Sequence, residues 1–256
     1  MNERKVVVVT GSNGGVGFEV ARAMAKEGWH VVINGRREQV LDEAVALIRE
    51  EVADASVEGV VADMSDADQA TDLVNSTAAK HGRIDGLVNN AAWVLQKHFS
   101  DMTVQDWDSM MNLKLRGYAV TCMAATAHMR EQGGGRIVNV GSKSGHTSDP
   151  NLSAYNSANA GVEGLTRSLA VDLGRFNITA NVVAPGWTWT PALKRAGFYG
   201  GSHDFLKQVN PLGRAGEQDE PAEVARWLLT TAPTYLTGQV IYVDGGKTAM
   251  AKLYHP

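Results

Sequence analysis

With 256 residues, 44% of them hydrophobic, the chain is long enough to bury a full core as one α/β domain. Its 24 Lys and Arg stand against 28 Asp and Glu, a net charge of -4 with no basic block to neutralise a row of phosphates, so nucleic acid is not an expected partner. A single cysteine, Cys122, rules out an intrachain disulfide, and no stretch reaches the roughly 18 to 20 apolar residues of a membrane span. A cytoplasmic protein without a membrane partner is the resulting expectation.

Short β-branched runs alternate with longer helical-period stretches. The first run, Lys5 to Thr10, enters Gly11-Ser12-Asn13-Gly14-Gly15-Val16-Gly17 and then a helix over Val16 to Glu27. Glycines at such a turn let the backbone approach a pyrophosphate, and the helix start supplies unpaired N–H groups and a positive dipole end. Further strands are predicted at Val31 to Asn34, Val57 to Ala62, Ile84 to Asn89, Gly135 to Val140, Ile178 to Val183 and Gln239 to Val243. Between them lie helices over Glu38 to Glu51, Ala67 to Lys80, Val104 to Arg130, Ala154 to Leu173 and Glu220 to Thr231. The strands are apolar almost throughout, the pattern of parallel strands covered by helices on both faces, so a seven-stranded, doubly wound parallel sheet is predicted.

The second strand ends in Asn34-Gly35-Arg36-Arg37, with no carboxylate before Glu38. An acidic residue there would accept the ribose 2′-hydroxyl of NAD, whereas Arg36 and Arg37 suit the 2′-phosphate of NADP. Ser12 and Asn13 are candidates to hydrogen-bond the same phosphate. NADP(H) is therefore the expected cofactor.

From here the chain resembles the short-chain dehydrogenase/reductase family, over residues 6 to 246. The quoted loop is similar to the family's Thr-Gly-x-x-x-Gly-x-Gly signature, with Gly11, Gly15 and Gly17 on its glycines and Val16 beside them. Asp63 and Met64 match the adenine-side position, and Asn89-Asn90-Ala91-Ala92 matches the family's Asn-Asn-Ala-Gly turn. Asn112 matches the asparagine that holds a proton-relay water, Ser142 the catalytic serine, and Tyr155, thirteen residues on, the catalytic tyrosine. Pro185-Gly186, with Thr188 and Thr190, resembles the loop that grips the nicotinamide carboxamide. Thr237-Gly238 and Val243-Asp244-Gly245-Gly246 match the C-terminal signature. The resemblance implies a Rossmann-type fold, a ketoreductase-like oxidoreductase acting on a small carbonyl or alcohol, and a homodimer or homotetramer.

One position departs. The family's Tyr-x-x-x-Lys here reads Tyr155-Asn156-Ser157-Ala158-Asn159. In the family the lysine holds the nicotinamide ribose and lowers the tyrosine pKa; an amide can do the first but carries no charge for the second. A unit charge about 5 Å away at an effective dielectric near 20 is worth roughly 3 kcal/mol, about two pKa units, so impaired activity is expected. Three readings of Asn159 stay open: an engineered substitution, a natural one with another cation in the role, or a protein that has abandoned hydride transfer. Lys143, beside Ser142, is the candidate cation at this point, or else a solvated loop lysine. A cofactor-binding scaffold without catalysis and a non-redox acid–base enzyme remain as alternatives.

His146 and Asp149 follow the catalytic serine, as substrate contacts or as surface-loop residues. Trp93, Trp187 and Trp189 follow cofactor-loop motifs and suggest a pocket wall. The seven histidines show no metal-ligand spacing, and no metal is expected. The irregular stretch from 186 to 212 is expected to form a substrate lid.

Overall fold

The structure, a computed structural model, describes residues 4–190 and 210–250. The expected lid falls largely on 191–209 and to that extent lies outside the described residues. Seven parallel strands form one sheet: β1 Val6–Val9, β2 His30–Gly35, β3 Ser56–Val61, β4 Gly86–Asn89, β5 Gly135–Val140, β6 Ile178–Pro185 and β7 Val240–Val243. Their order is β3-β2-β1-β4-β5-β6-β7, so the chain reverses its direction of travel across the sheet between β1 and β4. The carboxyl ends of those two strands therefore flank the crevice in which ligands bind in open α/β sheets.

Each β1 residue is buried, because its alternate side chains serve two cores. Val7 and Val9 pack with α1 (Gly15–Lys26), α2 (Glu38–Glu51) and α7 (Asp219–Thr230), while Val6 and Val8 pack with α3 (Ala67–His81) and α5 (Gly117–Glu131). Coverage on both faces explains the continuous valine run. Edge strand β3 differs from the expectation: only Val57 is buried, Glu58 and Val60 are half-buried, and Val61 is 50% exposed. An edge strand has a partner on one side only and less cover to bury it.

Local signals set the helix ends. Asp66 caps α3 by accepting from the Asp68 and Gln69 amides, and Gly82 ends it in the left-handed region. The predicted helix over Val104 to Arg130 is broken into α4 (Val104–Met110), a π-helical segment (Met111–Arg116) and α5. A wider turn of this kind changes which side chains face inward, a phase shift invisible to a 3.6-residue period. Helix α6 (Ser153–Leu173) buries Ala154, Ala158, Val162 and Thr166 and puts Tyr155 and Asn159 one turn apart on one face.

Beneath the site a buried polar chain ties strands to helices. Thr121 donates to Asn89 Oδ1 at 2.6 Å, Asn89 Nδ2 to Asn139 Oδ1 at 2.9 Å, and Asn139 Nδ2 to Thr166 Oγ1 at 2.9 Å. Removing a link strands desolvated partners. Asn139→Ala is accordingly expected to lower stability by about 2–4 kcal/mol in urea unfolding; a loss below about 0.5 kcal/mol would show that the chain does not hold β5 to α6.

Candidate active site

The glycine loop sits at the carboxyl end of β1, as its sequence implied. Gly11 and Gly15 have φ of 60° and 65°, and a Cβ on Gly11 would lie 2.6 Å from Ala91 Cα. A Cβ on Gly17 would meet Asn90 Nδ2 at 2.4 Å and Gly11 O at 2.8 Å. The closeness comes from Asn90, whose Nδ2 donates to Thr10 O and Gly11 O, and from Thr10 Oγ1, which accepts from the Asn90 and Ala91 amides. Loop, Asn90 and Ala91 thus form one cradle. Val16 and Met64 are buried beside it, and Gly15 faces the Thr190 methyl at 4.0 Å from its virtual Cβ. Pro185 ends β6, and Gly186 lies so close to Asp244 that a Cβ would come within 2.7 Å of Asp244 Cα. Thr188 is buried with its hydroxyl donating to Gly186 O.

Ser12 departs from its expected role. It is fully buried, its hydroxyl donates to Val9 O at 2.6 Å and accepts from Asn34 N at 3.0 Å, and it is turned into the strand ends instead of toward a phosphate. The Asn13 side chain lies over Gly35, where a Cβ would touch it at 3.2 Å. Arg36 is 72% exposed and 3.6 Å from Asp63, a surface pair that holds the guanidinium weakly; Arg37 is exposed at the start of α2. Asp63 also accepts from the Ser65 amide and hydroxyl. Burial would raise its pKa, but those bonds and Arg36 hold it below the usual range.

Just past the end of β5, the Ser142 side chain lies near enough to Tyr155 to act on its phenol. Burial pushes the Tyr155 pKa up and Asp149 adds to this, while Ser142 and Asn159 oppose it; the net is a phenol that stays protonated beyond its ordinary range. Asn159 is fully buried; its Nδ2 donates to Tyr155 O at 2.8 Å, and its Oδ1 has no partner. An orphaned buried acceptor beside Tyr155, together with the glycine cradle, fits a bound hydroxyl-bearing ligand such as a nucleotide. Lys143 is neither solvated nor available as a cation: it is buried and its ammonium pairs with Asp149 at 2.5 Å, with Ser144 Oγ donating to the same carboxylate oxygen.

The structure does not bring Asn112 into the site; it is exposed. Two residues on, Lys114 is 1% exposed, and its ammonium donates to Val140 O at 2.6 Å and to the Tyr118 hydroxyl at 3.0 Å. Burial without a carboxylate partner drives its pKa down to about 7. Sequence reading missed this residue because a lysine between Asn112 and Arg116 reads as solvated, whereas the π-helical segment buries it.

Elsewhere, Trp187 and Trp189 pack on Ala215, but Trp93 is 41% exposed and outside that cluster, so the expected three-tryptophan wall is not formed. A cavity of about 400 Å³ runs from Trp187 and Thr188 to Pro211 and Tyr242. A second, of about 440 Å³, lies by His98, Asp149 and Asn156 at the start of α6. His146 is exposed, its ring 5.7 Å from that of Tyr242. At the other end of the sheet the fold unites His30, Glu58 and His81, with ligand atoms within 4.8 Å of one another, which their sequence spacing did not reveal. There Lys80 already pairs with Glu58, and although burial opposes it, Lys80, His81 and His30 hold that carboxyl at about 2. Among the described residues no helix is long and apolar enough to cross a membrane.

The family model described as Enoyl-(Acyl carrier protein) reductase matches residues 11–248. Levodione reductase of Leifsonia aquatica is 35% identical over 253 residues, covering 96% of this chain and 94% of that protein. Its crystal structure superimposes with a TM-score of 0.90, covering 96% and 98% of the two chains. Mouse dehydrogenase/reductase SDR family member 4 is 33% identical, covering 94% and 86%. A structure of a variant actinorhodin polyketide ketoreductase with NADPH is 29% identical, covering 98% of this chain and 99% of that one, with a TM-score of 0.90.

The Lys114 pKa predicts a stability effect of definite sign. A lysine held at about 7 in the folded chain and near 10.5 when unfolded costs stability fully below pH 7, and the cost disappears as pH rises to about 10.5. Lys114→Met should therefore stabilise the ligand-free protein at pH 7 by about 1–3 kcal/mol, less the lost hydrogen bonds, with the gain fading towards pH 10. Thermal unfolding at several pH values checks this; a variant less stable than its parent at pH 7 contradicts it.

Proposed function

Because the chain belongs to the short-chain dehydrogenase/reductase family of oxidoreductases, we propose that it interconverts a small ketone or aldehyde and its alcohol with NADP(H). The observation that carries the reading is that the Ser142 and Tyr155 side chains meet at the same sheet edge as the glycine cradle. When bound, the nicotinamide supplies or accepts the hydride. Tyr155 gives its proton to the oxygen that becomes an alkoxide, and Ser142 hydrogen-bonds the same oxygen. Asn90, Ala91 and the Gly11–Gly17 backbone receive the dinucleotide, Pro185 to Thr190 its nicotinamide end, and Asn159 Oδ1 a ribose hydroxyl. Arg36, with Arg37 and Asn13 beside it, is read as the 2′-phosphate contact; this is the basis for NADP over NAD, and a related ketoreductase structure contains NADPH.

The upward shift of Tyr155 favours its acid form. Reduction should therefore dominate at neutral pH, while oxidation, which needs the phenolate, should rise only in alkaline solution. Asn159 brings no charge to offset this, and taken alone it would leave activity low.

Two assays test the reading. Calorimetry should find NADPH bound at least about tenfold tighter than NADH, about 1.4 kcal/mol, with Arg36→Ala erasing most of the difference; equal affinities in the parent would remove the NADP claim. With NADPH and a panel of ketones and aldehydes, Tyr155→Phe should lower turnover by about a hundredfold or more. Full activity in that variant would overturn the assignment of Tyr155 as the acid.

A further inference from the structure

Two buried polar groups around Tyr155 have unused capacity. Asn159 Oδ1 accepts nothing, and it lies 4.0 Å from where a Cβ on Gly141 would stand. Lys114 donates to Val140 O, on the residue just before Gly141, and to Tyr118; of its three N–H groups, one has no partner among the described residues. The two side chains reach the same Val140–Gly141 stretch from different elements, α6 and the π-helical segment. Tyr155 packs in one cluster with Met110 and Met111, at the start of the segment that carries Lys114, and its side chain meets that of Ser142, one residue past Gly141.

We propose that Lys114 is the ionisable positioning partner of Tyr155, restoring to the phenol the proton that it gives away, so that amide and ammonium have exchanged elements in this chain. The inference rests on Tyr155 being the proton donor. The balance is simple: as the alkoxide gains its O–H bond, the Tyr155 O–H breaks; a Lys114 N–H then breaks as the Tyr155 O–H is remade; the neutral amine regains a proton from solvent. While protonated, the ammonium also stabilises the transient phenolate. Burial gives Lys114 a pKa of about 7, where a group can both hold and yield a proton at neutral pH.

Among the described residues no other group competes for this role. Asp149 raises the Tyr155 pKa, and its charge is taken up by Lys143. Tyr118 and Cys122 are buried and shifted upward, so both stay neutral. On α6, Glu163 accepts from the Tyr242 hydroxyl and lies 4.0 Å from Arg167. His146 is exposed beside Tyr242.

The test begins on the ligand-free protein, with ¹⁵N-lysine NMR across pH 5 to 11. One ammonium should titrate below about 9, and that signal should vanish in Lys114→Asn. In Asn159→Lys, which places a second ammonium nearby, the Lys114 signal should shift down by about one unit, a readout that needs no Lys114 variant to fold. In NADPH-dependent reduction, turnover should fall as pH rises through the same pKa. Lys114→Asn should lose that limb and about tenfold or more in kcat with KM changed less than about threefold, and Lys114→Asn/Asn159→Lys should recover most of the loss. Asn159→Lys alone should gain less than about threefold, because a cation is already present. A lysine set that titrates normally overturns the proposal, as does a Lys114→Asn enzyme with unchanged rate and pH profile while Tyr155→Phe is inactive. An active Tyr155→Phe enzyme instead removes the reading beneath it.

Discussion

Burying the Lys114 ammonium is the constraint around which the rest of the site is arranged. An unpaired charge inside a protein is tolerated only where hydrogen bonds hold it or where it can shed its proton. Lys114 does both: Val140 O and the Tyr118 hydroxyl accept from it, and its pKa falls to about 7. Stability alone would favour an apolar residue there. A side chain held at a stability cost is the pattern expected of a site shaped by chemistry, as the proposal for Lys114 requires.

The fold supplies the rest through backbone geometry. Because β1 and β4 flank the reversal of strand order, the glycine loop and the Asn90–Ala91 turn meet without a long connection. The close contacts at Gly11 and Gly17 leave no room for side chains. Helix α6 then carries Tyr155 to Ser142 at the end of β5, held from below by the Asn89–Asn139–Thr166 chain.

What was legible in the sequence follows from which forces are local. Strands buried on both faces show as valine runs, and a phosphate-binding turn shows as glycines between a strand and a helix, so the sheet and the cradle could be read directly. Side-chain direction is decided by tertiary packing. Ser12 follows the loop signature yet turns inward because Asn34 N and Val9 O offer it partners. Lys143 looked solvated until Asp149 folded over it. The π-helical segment moved the site-facing position from Asn112 to Lys114, and no periodicity argument registers one widened turn. Glu58 stands 28 residues from His30 and 23 from His81 in the hydrogen-bonded pairs, and the group forms only once β2 and β3 align.

The most direct measurement is a high-resolution crystal structure of the protein with NADP+ bound. The account predicts that Asn159 Oδ1 gains a hydroxyl or water partner and that Lys114 is joined to the Tyr155 hydroxyl through no more than one bridging oxygen. Density showing Asn159 Oδ1 still unpartnered, with Lys114 confined to Val140 O and Tyr118 and no path to Tyr155, would contradict it.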